Sequence, residues 1–149
     1  MPTDVRFRTP RLTGRHPAPD VADLYETLFG RDGASMLERN IQDWSRHRVA
    51  PWTLAHAGQD VGIGGFLIGF GNDGLELSFH FIERVWGLGL ASEFVTAAID
   101  HATDILNADR FFAVVGNGGA ASVRVLEKAG FRFAKDDGDR RIMYLRRTP

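Results

Sequence analysis

Residues 84–91 read Arg84-Val85-Trp86-Gly87-Leu88-Gly89-Leu90-Ala91, and what flanks them leaves few folds open. Before them, residues 75–82 alternate with period two, the pattern of a strand. Leu77, Phe79 and Phe81 fall on one face and Glu76, Ser78 and His80 on the other. After them, Leu90, Phe94, Ala98, Ala102 and Ile105 recur at helical spacing over residues 89–106, with Glu93, Asp100 and Asp104 elsewhere on the wheel. A strand must therefore pass into a long helix through a loop with two glycines. Such a loop presents free N–H groups at the positive end of a helix macrodipole. Glycine lets the chain turn tightly and lets an anion reach the main chain with no Cβ in the way. A lone G-x-G is often only a turn; the strand, arginine, loop and long helix together predict a phosphate site.

The rest of the chain supplies the frame. Residues 5–15 read as an opening strand interrupted by Pro10, hence edge-lying or bulged. Pro19-Asp20 opens a helix whose stripe is Val21, Leu24, Tyr25, Leu28 and Phe29, with Gly30 as its stop. A second helix begins at Ser35, where Ser35 and Glu38 have capping-box spacing; Leu37, Ile41 and Trp44 form its buried face, and Pro51 forbids its continuation. Residues 52–56, 62–70 and 75–82 then read as an antiparallel meander, with turns at 58–60 and 71–74. Residues 110–115 are almost wholly apolar, as in a buried central strand. Residues 120–129 make a helix closed by Gly130, and 131–134 with 142–146 make a final hairpin across 136–139. This order predicts an α+β (α/β mixed-sheet) domain spanning residues 1–149, with helices flanking the sheet.

Composition narrows the function classes. A net charge of -1 gives no general attraction to nucleic acid or to an anionic membrane surface. No apolar run approaches the ~18 residues that would cross a bilayer, and the N-terminus lacks a signal-peptide core, so a cytoplasmic location is expected. Without cysteine there is no disulfide, thiolate metal site or thiol nucleophile. His16, His47, His56, His80 and His101 show no paired-ligand spacing, so no metal is expected.

Arg84-x-x-Gly87-x-Gly89 resembles the Q/R-x-x-G-x-G/A signature of the GNAT superfamily of N-acetyltransferases. Trp86-Gly87-Leu88-Gly89-Leu90-Ala91-Ser92-Glu93 is similar to the W-G-x-G-x-A-[ST]-E form of its ribosomal-protein N-terminal (Rim-type) branch. Residues 122–131, Ser122-Val123-Arg124-Val125-Leu126-Glu127-Lys128-Ala129-Gly130-Phe131, resemble that branch's S-x-R-V-L-E-K-x-G-F stretch. Thr9-Pro10-Arg11-Leu12 resembles its T-x-R-L opening. The resemblance implies a mostly antiparallel central sheet with one splayed parallel strand pair, residues 75–82 and 110–115, and acetyl-CoA in the split between them. It assigns backbone groups of Phe81 and Ile82 to the pantetheine arm, and the amides of residues 85–90 (Val85, Trp86, Gly87, Leu88, Gly89 and Leu90) to the pyrophosphate. Ala91 and Ser92 continue that site, Arg84 either adds a direct charge or caps the loop, and Asn117 and Ser122 belong to the second motif.

The chemistry implied is direct attack of an amine on the thioester carbonyl. It requires a deprotonated amine, a donor for the oxyanion and a proton for the leaving thiolate. Glu76 and His80 are the candidate bases: relatives often carry a glutamate on this strand, whereas histidine has the better unperturbed pKa, about 6.5. Three departures bear on catalysis. Gly119 stands where the family usually has asparagine, with Asn117 nearby; Leu126 stands where many members have a tyrosine acid; and residues 111–115 carry no carboxylate. Asp136, Asp137 and Asp139 read as a turn that would also attract a cationic amine, and Arg140-Arg141 and Arg146-Arg147 as a solvated hairpin. The expected partners are acetyl-CoA and an amine acceptor, a protein or peptide N-terminus or a small molecule, acted on by a monomer or homodimer. The rival reading is a non-catalytic acyl-CoA-binding module.

Overall fold

In the computed structural model, which describes residues 5–68, 74–116 and 118–147, eight strands form one sheet flanked by four α-helices. The strands are β1 (Val5–Arg8), β2 (Thr13–Arg15), β3 (Trp52–His56), β4 (Gln59–Leu67), β5 (Leu75–Phe81), β6 (Arg110–Val115), β7 (Arg132–Asp137) and β8 (Arg140–Arg146). The helices are α1 (Ala22–Phe29), α2 (Gly33–His47), α3 (Leu90–Ile105) and α4 (Ala120–Lys128). The sheet order is β1-β2-β3-β4-β5-β6-β8-β7. Every neighbouring pair is antiparallel except β5–β6.

Three local expectations are corrected. The opening segment is a hairpin of β1 and β2 rather than one bulged strand. Pro10 sits at the second position of a turn closed by the Thr9 N–H donating to the Leu12 carbonyl at 2.9 Å, a position its fixed φ suits. Helix α2 starts at Gly33, not Ser35, whose hydroxyl donates to the Asp32 carbonyl at 3.1 Å instead of capping. A Cβ on Gly33 would lie 2.6 Å from the Tyr25 carbonyl oxygen, so this glycine lets α2 begin hard against α1. Ile105 is 66% exposed, because the last turn of α3 extends past the core. The turn expected at 71–74 lies mostly outside the described residues.

The sheet separates two apolar layers. Phe94, Val95, Ala98, Ile99 and Ala102 of α3 and Leu126 of α4 pack with Leu54, Leu77, Phe81, Phe111 and Met143 of the sheet. On the other side Val21 and Tyr25 of the α1 region meet Leu37 of α2 and Ile63 of β4. Tyr25 and Asn40, both buried, join α1 to α2 through a 2.8 Å hydrogen bond in which the Asn40 amide donates to the phenol oxygen.

The feature that positions the site is a short parallel pairing. Strands β5 and β6 are paired only at Leu75↔Phe111 and Glu76↔Phe112. Beyond that, β5 continues against β4 as far as Phe81, and β6 continues against β8 as far as Val115. A wedge therefore opens between β5 and β6 from Glu76 onward, as expected for the splayed strand pair. No helix among the described residues is long and apolar enough to cross a membrane.

Candidate active site

The glycine loop joins β5 to α3 at the open end of the wedge. A 3-10 turn over Glu83–Val85 uses the first amides: the Val85 N–H donates to Ile82 O at 3.1 Å and the Trp86 N–H to Glu83 O at 3.0 Å. Gly87 and Gly89 then take φ of 85° and 79°, left-handed values that L-residues avoid. The first α3 bond from these residues is Glu93 N–H to Gly89 O, so the amides of Leu90, Ala91 and Ser92 precede the helical ladder, and no side chain caps them. No atom lies within 4 Å of a Cβ built on Gly87, and only Arg11 Nη2, at 3.5 Å, approaches one built on Gly89. The amides of Val85 and Trp86, expected to face the pyrophosphate, are thus already engaged within the turn, and the open stretch of the loop runs from Gly87 to Ser92.

Side chains hold the loop in place. Trp86 is 66% exposed, yet its indole N–H donates to the Phe81 carbonyl at 2.8 Å and ties the loop to the end of β5. Val85 and Leu90 are buried anchors, whereas Leu88 is exposed. Arg84 is exposed and forms no ion pair among the described residues. The cation that does reach the loop is Arg11, whose Nη1 donates to the Leu88 carbonyl at 2.8 Å. Its Nε donates to Glu93 Oε1 at 2.7 Å, and its backbone N–H to Glu93 Oε2 at 2.8 Å. The Thr9 hydroxyl also donates to Oε2, at 2.6 Å. Burial works to raise the Glu93 pKa, but these donors outweigh it and hold the carboxyl below its usual range. The T-x-R-L motif was visible in sequence, but its role was not, because Arg11 and Glu93 lie 82 residues apart.

A cleft of about 690 Å³ lies between the end of β5, the loop and α4. Phe79, His80, Phe81, Gly87, Ser92, Ser122 and Lys128 are among its lining, so β5, the loop and α4 share one space. Of the pantetheine candidates, Ile82 is internally satisfied: its N–H donates to Val61 O at 2.9 Å and its carbonyl accepts from Val85. Backbone polarity alternates along a strand, so the N–H of Phe81 points the other way, into the wedge. Asn117 lies outside the described residues. A Cβ on Gly119 would stand 2.2 Å from Val115 Cγ1, so Val115 closes the position where the family carries asparagine.

Glu76, Ser78 and His80 lie on the sheet face that carries α1 and α2. Glu76 is half-buried at the apex of the wedge; burial raises its pKa, and Arg140 and Arg39 oppose that rise. His80 opens into the cleft, but the cleft is concave and the Phe29 ring stands edge-on at 4.9 Å. The surrounding protein lowers its pKa, keeping the imidazole neutral near pH 7. Four residues along a strand span about 13 Å, so Glu76 and His80 do not serve one proton together. Leu126 is 1% exposed and packs in the core, so no acid reaches the cleft from that position. The register Glu76↔Phe112↔Tyr144 brings a phenol to the same face, from a strand to which the sequence assigned no role.

Residues 7–132 match the acetyltransferase (GNAT) domain family. Over 61 residues, 41% of this chain, the sequence is 33% identical to the uncharacterized protein YkkB of Bacillus subtilis strain 168, a match spanning 36% of that relative's length. Among solved structures, an acetyltransferase of Agrobacterium tumefaciens strain C58 superposes with a TM-score of 0.81 at 21% identity, covering 94% of this chain and 93% of that one. The microcin C7 self-immunity acetyltransferase MccE, in complex with acetyl-CoA and AMP, gives 0.76 at 15% identity, covering 98% and 97%. A spermidine N-acetyltransferase SpeG K23-Q34 chimera from Vibrio cholerae and hSSAT gives 0.75 at 16% identity, covering 91% and 95%. At such identities these likenesses speak to the fold alone. The family match runs from Phe7 in β1 to Arg132 in β7, taking in the wedge, the glycine loop and the face bearing Glu76 and His80, and the chain belongs to the GNAT acetyltransferase family.

Proposed function

We propose that this N-acetyltransferase moves an acetyl group from acetyl-CoA to a primary amine, with the α-amino group of a peptide or protein as the first-choice acceptor. The observation that carries the coenzyme part is the β5–β6 wedge, paired at only two positions and opening onto a loop with open space above Gly87 and Gly89. The residues fit the coenzyme: amides from Gly87 to Ser92 would take the pyrophosphate, and the free edge of β5 at Phe81 would meet the pantetheine arm. The Rim-type motifs at 86–93 and 122–131 favour an α-amine. With a pKa near 8, an α-amine is also easier to deprotonate than a lysine at about 10.4.

The amine nitrogen attacks the thioester carbonyl, a C–N bond forms and the C–S bond breaks. The amine's proton passes to Glu76 or His80, directly or through water, and the thiolate takes one back from solvent or an acid. A backbone N–H of β5 directed into the wedge is the candidate oxyanion donor. A binding module without turnover is the second reading, favoured by the burial of Leu126 and the closure of Gly119.

Thiol release from acetyl-CoA, measured with a panel of N-terminal peptides, amino acids and polyamines, tests both readings. Turnover that is fastest with peptides having a free α-amine supports the proposal. Coenzyme binding without acetylation of any amine supports the module, and preference for a polyamine overturns the choice of acceptor.

A further inference from the structure

We propose that Arg11, rather than Arg84 of the loop itself, is the cation that binds the coenzyme's pyrophosphate, and that Glu93 and the Leu88 carbonyl exist to aim it. This inference rests on the coenzyme reading above. A guanidinium is a rigid planar fork, so two fixed nitrogens determine the direction of the third. In Arg11 the Nε is fixed by Glu93 Oε1 at 2.7 Å and Nη1 by Leu88 O at 2.8 Å. The remaining nitrogen, Nη2, makes no hydrogen bond among the described residues and stands 3.5 Å from where a Cβ of Gly89 would be. Gly89 itself lines the cleft, so Nη2 stands at the margin of the cleft beside the loop. Arg84 has no such preorganisation, being exposed and without an ion pair among the described residues.

The charges agree with this assignment. Glu93 lies in the first turn of α3, where a carboxylate suits the helix dipole but would repel a phosphate at the same helix end. Three contacts from Thr9 and Arg11 neutralise and orient that carboxylate. The pair Arg11–Glu93 thus leaves one cationic edge unpaired, beside Gly89 of the cleft wall. The turn at Thr9–Leu12, with Pro10 fixing its shape, holds Arg11 over a loop 77 residues further along the chain.

The test uses the full chain with Arg11→Gln, Arg11→Lys and wild type. Three probes are compared: coenzyme A, 3′-dephospho-coenzyme A and acetyl-pantetheine, which carries no pyrophosphate. Losing one charge-assisted contact to phosphate should weaken Arg11→Gln binding of both nucleotide forms by the same factor, about tenfold to a hundredfold. KM for acetyl-CoA should rise, kcat at saturation should stay within about twofold, and kcat/KM for acetyl-pantetheine should be unchanged. Arg11→Lys keeps the charge without the fork and should fall between. A direct charge contact is screened by salt, so wild-type affinity for coenzyme A should fall more steeply with ionic strength than that of Arg11→Gln. Equal salt slopes would show that Arg11 only props the loop, equal losses of acetyl-pantetheine and acetyl-CoA turnover would show damage beyond the pyrophosphate, and either result overturns the proposal. Loss of affinity for coenzyme A but not for its dephospho form would move Arg11 to the 3′-phosphate and also overturn it. Unchanged binding in folded Arg11→Gln overturns this inference alone, whereas failure of the wild-type protein to bind coenzyme A overturns the coenzyme reading as well.

Discussion

Gly89→Ala and Gly58→Ala form a matched pair that separates backbone strain from anion binding. Both glycines have φ of 79°. A Cβ would meet nothing within 4 Å at Gly58, and only Arg11 Nη2 at 3.5 Å at Gly89. Neither methyl group collides with the protein, so the stability cost of each is that of an L-residue in the left-handed region, about 1–2 kcal/mol. For a chain of this size that lowers the melting temperature by roughly 2–8 °C in both variants. The coenzyme should tell them apart. Gly58 lies in the turn between β3 and β4, outside the cleft, so Gly58→Ala should keep the wild-type Kd. In Gly89→Ala the methyl group occupies the approach to the loop amides. Losing a charge-assisted hydrogen bond worth about 1.5–3 kcal/mol weakens binding roughly 10- to 150-fold. Thermal melts with and without coenzyme A, together with calorimetric titration, measure both quantities. Equal Kd values for the two variants, at equal losses of stability, would refute the pyrophosphate assignment.

Two further expectations concern catalysis. Because burial raises Glu76 and lowers His80, their titrations approach each other, and the acidic limb of kcat/KM should lie between the ordinary carboxylate range and about 6.5 whichever is the base. A base must be deprotonated to act, so activity falls as pH drops through that limb. The variant, Glu76→Gln or His80→Gln, that removes the limb and lowers kcat by about 10²–10⁴ identifies the base; wild-type rates in both would mean that neither side chain is the base and that the site positions an already neutral amine. Leu126→Tyr restores the family's usual residue, but at a position 1% exposed. It should cost about 1–3 kcal/mol by overpacking, without raising kcat; a stable variant with faster turnover would show that the position does reach the thiolate.

Where local periodicity governs, the sequence was legible: residues 110–115 became β6 with the same bounds, and the alternation at 75–82 placed Glu76, Ser78 and His80 on one face. Errors arose where a distant contact decides a local outcome. The start of α2 is set by Gly33 against the backbone of α1, the exposure of Ile105 by where the core ends, and the loop's cation by Arg11 from 77 residues away. Gly119 makes the same point about function. Read from the motif alone, it is an asparagine lost from the second motif. In the fold, Val115 Cγ1 occupies the space a Cβ would need, at 2.2 Å. The substitution Gly119→Asn therefore requires Val115 or the backbone to move first, and Val115 is buried in the core at the end of β6. The departure belongs to the packing of the β6–α4 connection as a unit, so a function inferred from the motif position alone misplaces its cause.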